Sequence, residues 1–133
     1  MPRLVVDAGV LAVALVDDAS VGRRVRDRLL GHSLYAPETI DLEVASVIRK
    51  HVLPENLSPD RAAQAIQDLA AVPLVRVSHR PLLDRIWQLH PNVTPYDAAY
   101  IAVAELLDAP LITADVRLSR APGTRCEFDV LAE

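Results

Sequence analysis

Cysteine and lysine are almost absent from this 133-residue sequence, which has one of each, Cys126 and Lys50. A single cysteine excludes an intrachain disulfide and a thiolate metal site, and it is consistent with a reducing cytoplasm. Long apolar runs are also missing: none approaches the roughly 18 residues that cross a bilayer. Because Asp7 interrupts the N-terminal apolar stretch and Asp17 and Asp18 close it, we expect a cytoplasmic protein without a signal peptide.

An excess of basic charge is missing as well. The formal net charge is -4 at pH 7, with 14 basic against 18 acidic residues. Coating nucleic acid requires many lysine and arginine residues to neutralise phosphates, so this mode of binding is disfavoured. An enzyme that engages phosphates through a bound cation remains compatible with the charge.

Size and composition are those of one ordinary globular domain, which we place at residues 1–133. The chain is 51% hydrophobic and 24% charged, and its length suffices for one hydrophobic core but not comfortably for two. Short apolar segments that alternate with helical patterns predict an α/β fold with a mainly parallel central sheet flanked by helices. The expected strands are 4–6, 33–36, 74–77, 111–113 and 127–130; the expected helices are 8–16, 21–30, 38–51, 59–71, 80–90 and 96–107, with a helical turn near Leu118.

Two acidic residues follow predicted strands directly. Asp7 follows the strand at 4–6, and Asp115 follows the strand at 111–113. In open parallel sheets the ligand crevice lies beyond the carboxyl ends of the strands. Each aspartate could equally cap the helix that comes after it.

Two further acids lie in predicted helices. Asp97 is in the first turn of a helix that is apolar nearly all round, on the side of Ile101 and Ala104. The helix dipole favours a negative charge there, but a carboxylate against an apolar surface is costly unless something neutralises it. Glu43 lies at the edge of the apolar stripe of its helix, where a structural and a functional role both remain open.

Four acids from four elements are explained more simply by a shared divalent cation than by four separate structural roles. Carboxylate oxygens favour Mg²⁺ or Mn²⁺, and the chain has no cysteine cluster or histidine pair for zinc. Such a cation can activate a water molecule and stabilise charge on a phosphodiester. Thr113 could hydrogen-bond a carboxylate or a metal-bound water, or it could be an ordinary strand residue.

Four segments together resemble the PIN-domain ribonucleases, and among them the VapC toxins of bacterial and archaeal toxin–antitoxin pairs. Each motif alone is weak, but the Tyr-Asp-Ala-Ala-Tyr sequence at 96–100 combined with the other three is specific. The resemblance covers essentially the whole chain. The segments are Leu4 to Ala8, Pro37 to Ala45, Thr94 to Ala102 and Leu111 to Asp115.

This resemblance implies a toxin of a type II toxin–antitoxin pair that cleaves RNA, forms a homodimer and is blocked by a small VapB-type antitoxin. It implies a Mg²⁺ or Mn²⁺ site formed by four carboxylates: Asp7, Glu43, Asp97 and Asp115. One departure concerns Gly9, because the family commonly has Ser, Thr or Asn two residues after the first aspartate. A side chain that would support the metal site is therefore missing.

Substrate contacts are less evident. Arg117 and Arg120 follow Asp115 closely enough to reach a phosphate at the site. The basic segment formed by Arg23, Arg24, Arg26 and Arg28 is interpreted as a solvated helix face. The aromatic residues Trp87, Tyr96 and Tyr100 are expected in the core or a dimer interface before they are expected to stack on bases.

Two other classes remain as alternatives. A catalytically silent PIN-like module would bind RNA or a protein without cleavage, with Gly9 as the sign of lost activity. A phosphoacceptor receiver domain also has acids at strand ends, but it needs a lysine at the end of a late strand, and Lys50 lies in a different element.

Overall fold

A five-stranded parallel sheet forms the centre of the molecule in the computed structural model, which describes residues 1–54 and 56–131. The strand order is β3-β2-β1-β4-β5, and every described pairing is parallel. The predicted α/β fold with a parallel central sheet is therefore confirmed. The strands are β1 (Arg3–Val6), β2 (Ser33–Pro37), β3 (Leu74–Val77), β4 (Leu111–Thr113) and β5 (Phe128–Val130).

Helices connect the strands and cover the sheet. None of the helices in the described part of the chain is both long and apolar enough to cross a membrane. A 3₁₀ turn at Arg80–Leu82 precedes α5. The helices are α1 (Ala8–Val16), α2 (Ser20–Leu29), α3 (Ile40–Val52), α4 (Pro59–Ala71), α5 (Leu83–Gln88), α6 (Pro95–Leu107) and α7 (Val116–Ser119).

The centre of the sheet determines where the acidic residues lie. In β1, Val5 and Val6 are fully buried, because neighbouring strands pair with both edges and helices cover the faces. Val6 is in register with Ile112 of β4, so the residues that follow, Asp7 and Thr113, lie side by side at the carboxyl end of the sheet. Helix α6 packs against β1 and β2 and is buried from Ala98 to Ala104.

Two helices, α3 and α5, differ from the sequence predictions by more than one residue. Strand β2 continues through Pro37, and the N–H of Glu38 then donates to the Val77 carbonyl oxygen, so α3 begins only at Ile40. The helix expected at 80–90 begins as a 3₁₀ turn and ends at Gln88.

Several side chains lie elsewhere than the sequence suggested. Trp87 and Tyr96 are 65% and 66% exposed, which excludes the core and leaves a dimer interface as the prediction for them, and Trp87 stacks on His90 with the ring centroids 4.0 Å apart. Tyr100 is buried. Arg26 departs from the solvated helix face, because its guanidinium donates to two backbone carbonyl oxygens of the α1 segment.

Candidate active site

Asp7 and Asp115 both leave the carboxyl ends of neighbouring strands and both cap a helix. The Oδ1 atom of Asp7 accepts a hydrogen bond of 2.8 Å from the Val10 N–H, and Oδ1 of Asp115 accepts one of 3.2 Å from the Leu118 N–H. The prediction that each aspartate could cap the following helix is therefore correct for both residues. It does not exclude the functional one, because each cap bond uses one carboxylate oxygen and leaves Oδ2 for a ligand.

Thr113 links these two aspartates. Its side chain is fully buried, and its Oγ1 accepts a hydrogen bond of 3.0 Å from the Asp115 N–H. The same side chain lies close enough to the Asp7 carboxylate that its hydroxyl group opposes the rise in the pKa of Asp7. Thr113 thus anchors the backbone at Asp115 and lies beside Asp7.

Asp97 is placed by the start of α6. Thr94 caps this helix through Oγ1, which accepts a hydrogen bond of 3.2 Å from the Asp97 N–H, and Pro95 occupies the first helical position. The Asp97 side chain is half-buried at the edge of the apolar helix, as its position beside Ile101 indicated.

Glu43 lies in the first turn of α3 and receives a hydrogen bond that the sequence analysis missed. The hydroxyl group of Tyr100 donates to Oε2 of Glu43. The one available signal was the helical spacing of Asp97 and Tyr100, which three residues apart share one face of α6. Sequence alone could not reveal that α3 presents Glu43 to that face.

Burial and nearby charges raise the pKa of three of these acids, Asp7, Glu43 and Asp97. Burial raises the pKa of Asp7, against the effects of Thr113 and the Val10 N–H, and the charges of Asp97 and Asp115 raise it further. Burial also raises the pKa of Glu43, with added effects of Asp97 and Asp7. Burial and the nearby Asp115 raise the pKa of Asp97. Each of the four predicted acids therefore lies within electrostatic range of at least two of the others.

This donor set fits a hard divalent cation in its chemistry. The carboxylates offer oxygen ligands, and a cation would relieve the repulsion that adds to the effect of burial on the pKa of Asp7, Glu43 and Asp97. Within residues 1–54 and 56–131, however, no three acidic, histidine or cysteine side chains are grouped as a complete metal site. Binding would therefore require side-chain rotations that draw the carboxylates together.

Two other positions lie beside the acids. Gly9 is exposed in the first turn of α1, and a Cβ atom there would meet only Oδ1 of Asp7, at 3.6 Å. Arg117 and Arg120 are exposed in and just after α7, and neither forms an ion pair with any described residue.

A groove of about 760 Å³ opens next to this edge of the sheet, between α1, α2 and the end of the chain. Its lining includes Gly9, two residues after Asp7, and Ala114, the residue before Asp115. Its walls are mostly apolar, and the charged side chains of Arg24, Asp27 and Arg28 line it as well.

Comparison with known proteins agrees with this geometry. The PIN domain family model matches residues 4–123. Ribonuclease VapC1 of Mycobacterium tuberculosis is 38% identical over 132 residues, which are 98% of this chain and 99% of that protein.

Solved structures match the fold at low identity. The structure of the sarcin-ricin loop cleaving toxin VapC20 of M. tuberculosis has a TM-score of 0.70 at 11% identity, covering 92% of this chain and 97% of that one. VapBC2 of Rickettsia felis, bound to a DNA fragment from its promoter, has a TM-score of 0.66 at 12% identity, with 95% and 98% covered. At these identities the two structures support the fold alone.

Proposed function

The chain belongs to the PIN domain family, as its four motifs indicated, and from this premise we propose that it is a Mg²⁺- or Mn²⁺-dependent endoribonuclease, the toxin of a VapB–VapC-type pair. The observation that carries the proposal is the convergence of four carboxylates from separate elements, each within electrostatic range of at least two of the others. The name of VapC1, a relative over nearly the full chain, gives the substrate class.

In this proposal the cation is held by Asp7, Glu43, Asp97 and Asp115. A bound divalent cation supplies a water molecule of lowered pKa and stabilises negative charge on the phosphoryl oxygens. Thr113 anchors the backbone at Asp115, and its hydroxyl group lies beside the Asp7 carboxylate, where it can help to orient that ligand. The helix-cap bonds of Asp7 and Asp115 restrict both side chains in the same way.

Arg117 and Arg120 contact RNA phosphates in this proposal. Both are exposed and free of described ion pairs, so their guanidinium groups can bind a phosphate without breaking an existing contact. Two arginines next to four acids offset part of the repulsion that an anionic substrate would meet in a chain of net charge -4.

The proposed partners are a second copy of this chain and a VapB-type antitoxin, in the cytoplasm. The apolar groove lined in part by Gly9 and Ala114 suits a segment of the antitoxin, because a chain bound there would lie next to Asp7 and Asp115 and could block them. The family relationship is the source of this assignment.

The decisive experiment incubates antitoxin-free protein with RNA in Mn²⁺, with and without a chelator. We expect cleavage by the wild type that disappears with the chelator and with Asp97→Asn. Asp60→Asn is the matched control, since Asp60 also lies in the first turn of a helix but is exposed on α4. A folded wild type that binds RNA without cutting it would instead support the silent module.

The same Asp97→Asn variant can be used to identify the RNA substrate. Mapping RNA 5′ ends after brief induction of the wild type, with Asp97→Asn as the comparison, separates cuts made by this protein from those made by host nucleases. New 5′ ends shared by both strains would contradict a role of the acidic site.

A further inference from the structure

Tyr100 is a buried residue directly beside the proposed metal ligands. Its side chain is 3% exposed in the middle of α6, and it lies three residues after Asp97, on the same helix face. Its hydroxyl group reaches across to α3 and donates to Oε2 of Glu43. No other hydrogen bond to the Glu43 carboxylate occurs among the described residues.

This hydrogen bond connects two helices that otherwise pack on different partners. Helix α3 packs mainly against α1 and α4, whereas α6 packs mainly against α5, β1 and β2. Asp97 comes from α6 and Glu43 from α3, so the Tyr100 hydroxyl fixes the position of one acid relative to the helix that carries the other.

The chemistry of Tyr100 and Glu43 suits the orientation of the Glu43 carboxylate for metal binding. A glutamate side chain has three rotatable bonds, and an unrestrained carboxylate must lose this freedom when it binds a cation. A phenol is a hydrogen-bond donor at neutral pH, so it engages one carboxylate oxygen and leaves Oε1 for a ligand. Partners that orient ligating groups in this way are a common part of metal sites.

We propose that Tyr100 is a positioning residue that orients Glu43 to bind the divalent cation. The inference rests on the proposed function, because it takes Glu43 as a metal ligand. Packing alone would require only the Tyr100 ring, which Phe would supply equally well. The hydroxyl group is therefore the part of the residue to test.

The first experiment measures Mn²⁺ binding without RNA, from the free Mn²⁺ signal in electron paramagnetic resonance, for the wild type and Tyr100→Phe. We expect an affinity about 10- to 100-fold weaker in the variant. Tyr35→Phe is the matched control: it also removes one tyrosine hydroxyl, from β2, that has no described hydrogen-bond partner. Its affinity should equal that of the wild type.

A double-mutant cycle separates orientation of Glu43 from a general structural effect. In the Glu43→Ala background, Tyr100→Phe should change the Mn²⁺ affinity by less than about twofold, because no carboxylate remains to be oriented. If Tyr100→Phe lowers the Mn²⁺ affinity in the Glu43→Ala background as much as it does in the wild type, the proposal is overturned. So would a Tyr100→Phe protein that binds Mn²⁺ like the wild type.

RNA cleavage at increasing Mn²⁺ distinguishes this inference from the proposed function. If Tyr100 acts through metal binding, Tyr100→Phe should recover most of the wild-type rate at saturating Mn²⁺. A wild type that cuts RNA in Mn²⁺ alongside an unaffected Tyr100→Phe would overturn only the positioning role. A folded wild type that neither binds Mn²⁺ nor cuts RNA would overturn both.

Discussion

The side chain of Thr113 lies beside the carboxylate of Asp7 at the ends of two neighbouring parallel strands, where its hydroxyl group opposes the rise in the pKa of Asp7. The two residues are level because Val6 of β1 is in register with Ile112 of β4, and each residue is the next along its chain. A fully buried polar side chain thus joins the two strand ends that supply Asp7 and Asp115. This arrangement makes Thr113 important both for stability and for the site.

Thr113→Val should lower the free energy of unfolding by about 1–3 kcal/mol, since it removes the buried hydroxyl group that accepts from the Asp115 N–H and lies beside Asp7, while it keeps the side-chain volume. Urea denaturation in the presence of a chelator measures this effect without a contribution from metal binding. Thr113→Ser is the matched control because it retains the hydroxyl, and it should lose less. Equal stability of the Val variant and the wild type would contradict the proposed link to Asp7.

The metal-free protein should become less stable as the pH rises from about 4 toward neutral through the raised pKa values of three acids. Burial is the largest cause of the raised pKa of Asp7, Glu43 and Asp97. In that range the folded state binds more protons than the unfolded state, so these groups stabilise the protein at low pH and lose that contribution as they ionise. Thermal unfolding in a chelator, measured across this range, gives the slope.

Added Mn²⁺ should reverse this trend, because a cation binds the ionised carboxylates and its stabilisation grows as they deprotonate. Asp97→Asn removes one of the three acids and should flatten the slope in the chelator. A slope in the chelator that Asp97→Asn leaves unchanged would contradict the raised pKa of Asp97.

Much of the fold could be predicted from the sequence because its signals are local. Strands β3 and β4 have the predicted bounds, since β-branched and apolar residues there are closed by polar or turn residues. Ser58 and Thr94 cap α4 and α6, and the proline that follows each of them at the first helical position is a local signal for the start of a helix. Asp7 and Asp115 followed from the rule that ligands bind at the carboxyl ends of parallel strands.

Other features depend on contacts between distant segments and could not be read locally. The Tyr100 hydroxyl meets Glu43, 57 residues away, only because α3 and α6 approach each other at the site. The residue type of Trp87 favoured the core or a dimer interface. The structure places it on the surface of the chain, where it stacks on His90. The number and identity of bound cations depend on how the carboxylate side chains are arranged, and helix and strand patterns do not encode that arrangement.

Arg117→Ala and Arg120→Ala should each weaken binding of single-stranded RNA and reduce its salt dependence. Each phosphate contact that is lost should lower the slope of log affinity against log salt by about 0.7. Binding is measured with Asp97→Asn, so that RNA is not cut during the titration. Arg23→Ala removes an exposed arginine of α2 and serves as the control, with an unchanged slope expected. An unchanged slope for both test variants would remove these arginines from the RNA contact.

Gly9→Ser should increase the Mn²⁺ affinity and the RNA cleavage of this protein above the wild type. The position is exposed, and an added Cβ atom would meet only Oδ1 of Asp7, at an ordinary contact distance of 3.6 Å. A serine hydroxyl there lies close enough to the site to donate to a carboxylate or a metal-bound water. The resemblance points the same way, since a hydroxyl or amide side chain is common two residues after the first aspartate.

Gly9→Ala separates this effect from that of the backbone. Alanine at a helical position should stabilise the protein by up to about 1 kcal/mol relative to glycine, and serine by less. If only the hydroxyl matters for the site, Ala raises the melting temperature without changing Mn²⁺ affinity, whereas Ser changes the affinity. Equal gains in affinity from both variants would assign the effect to a more rigid α1, and no gain from either would mean that this site does not use a side chain at residue 9.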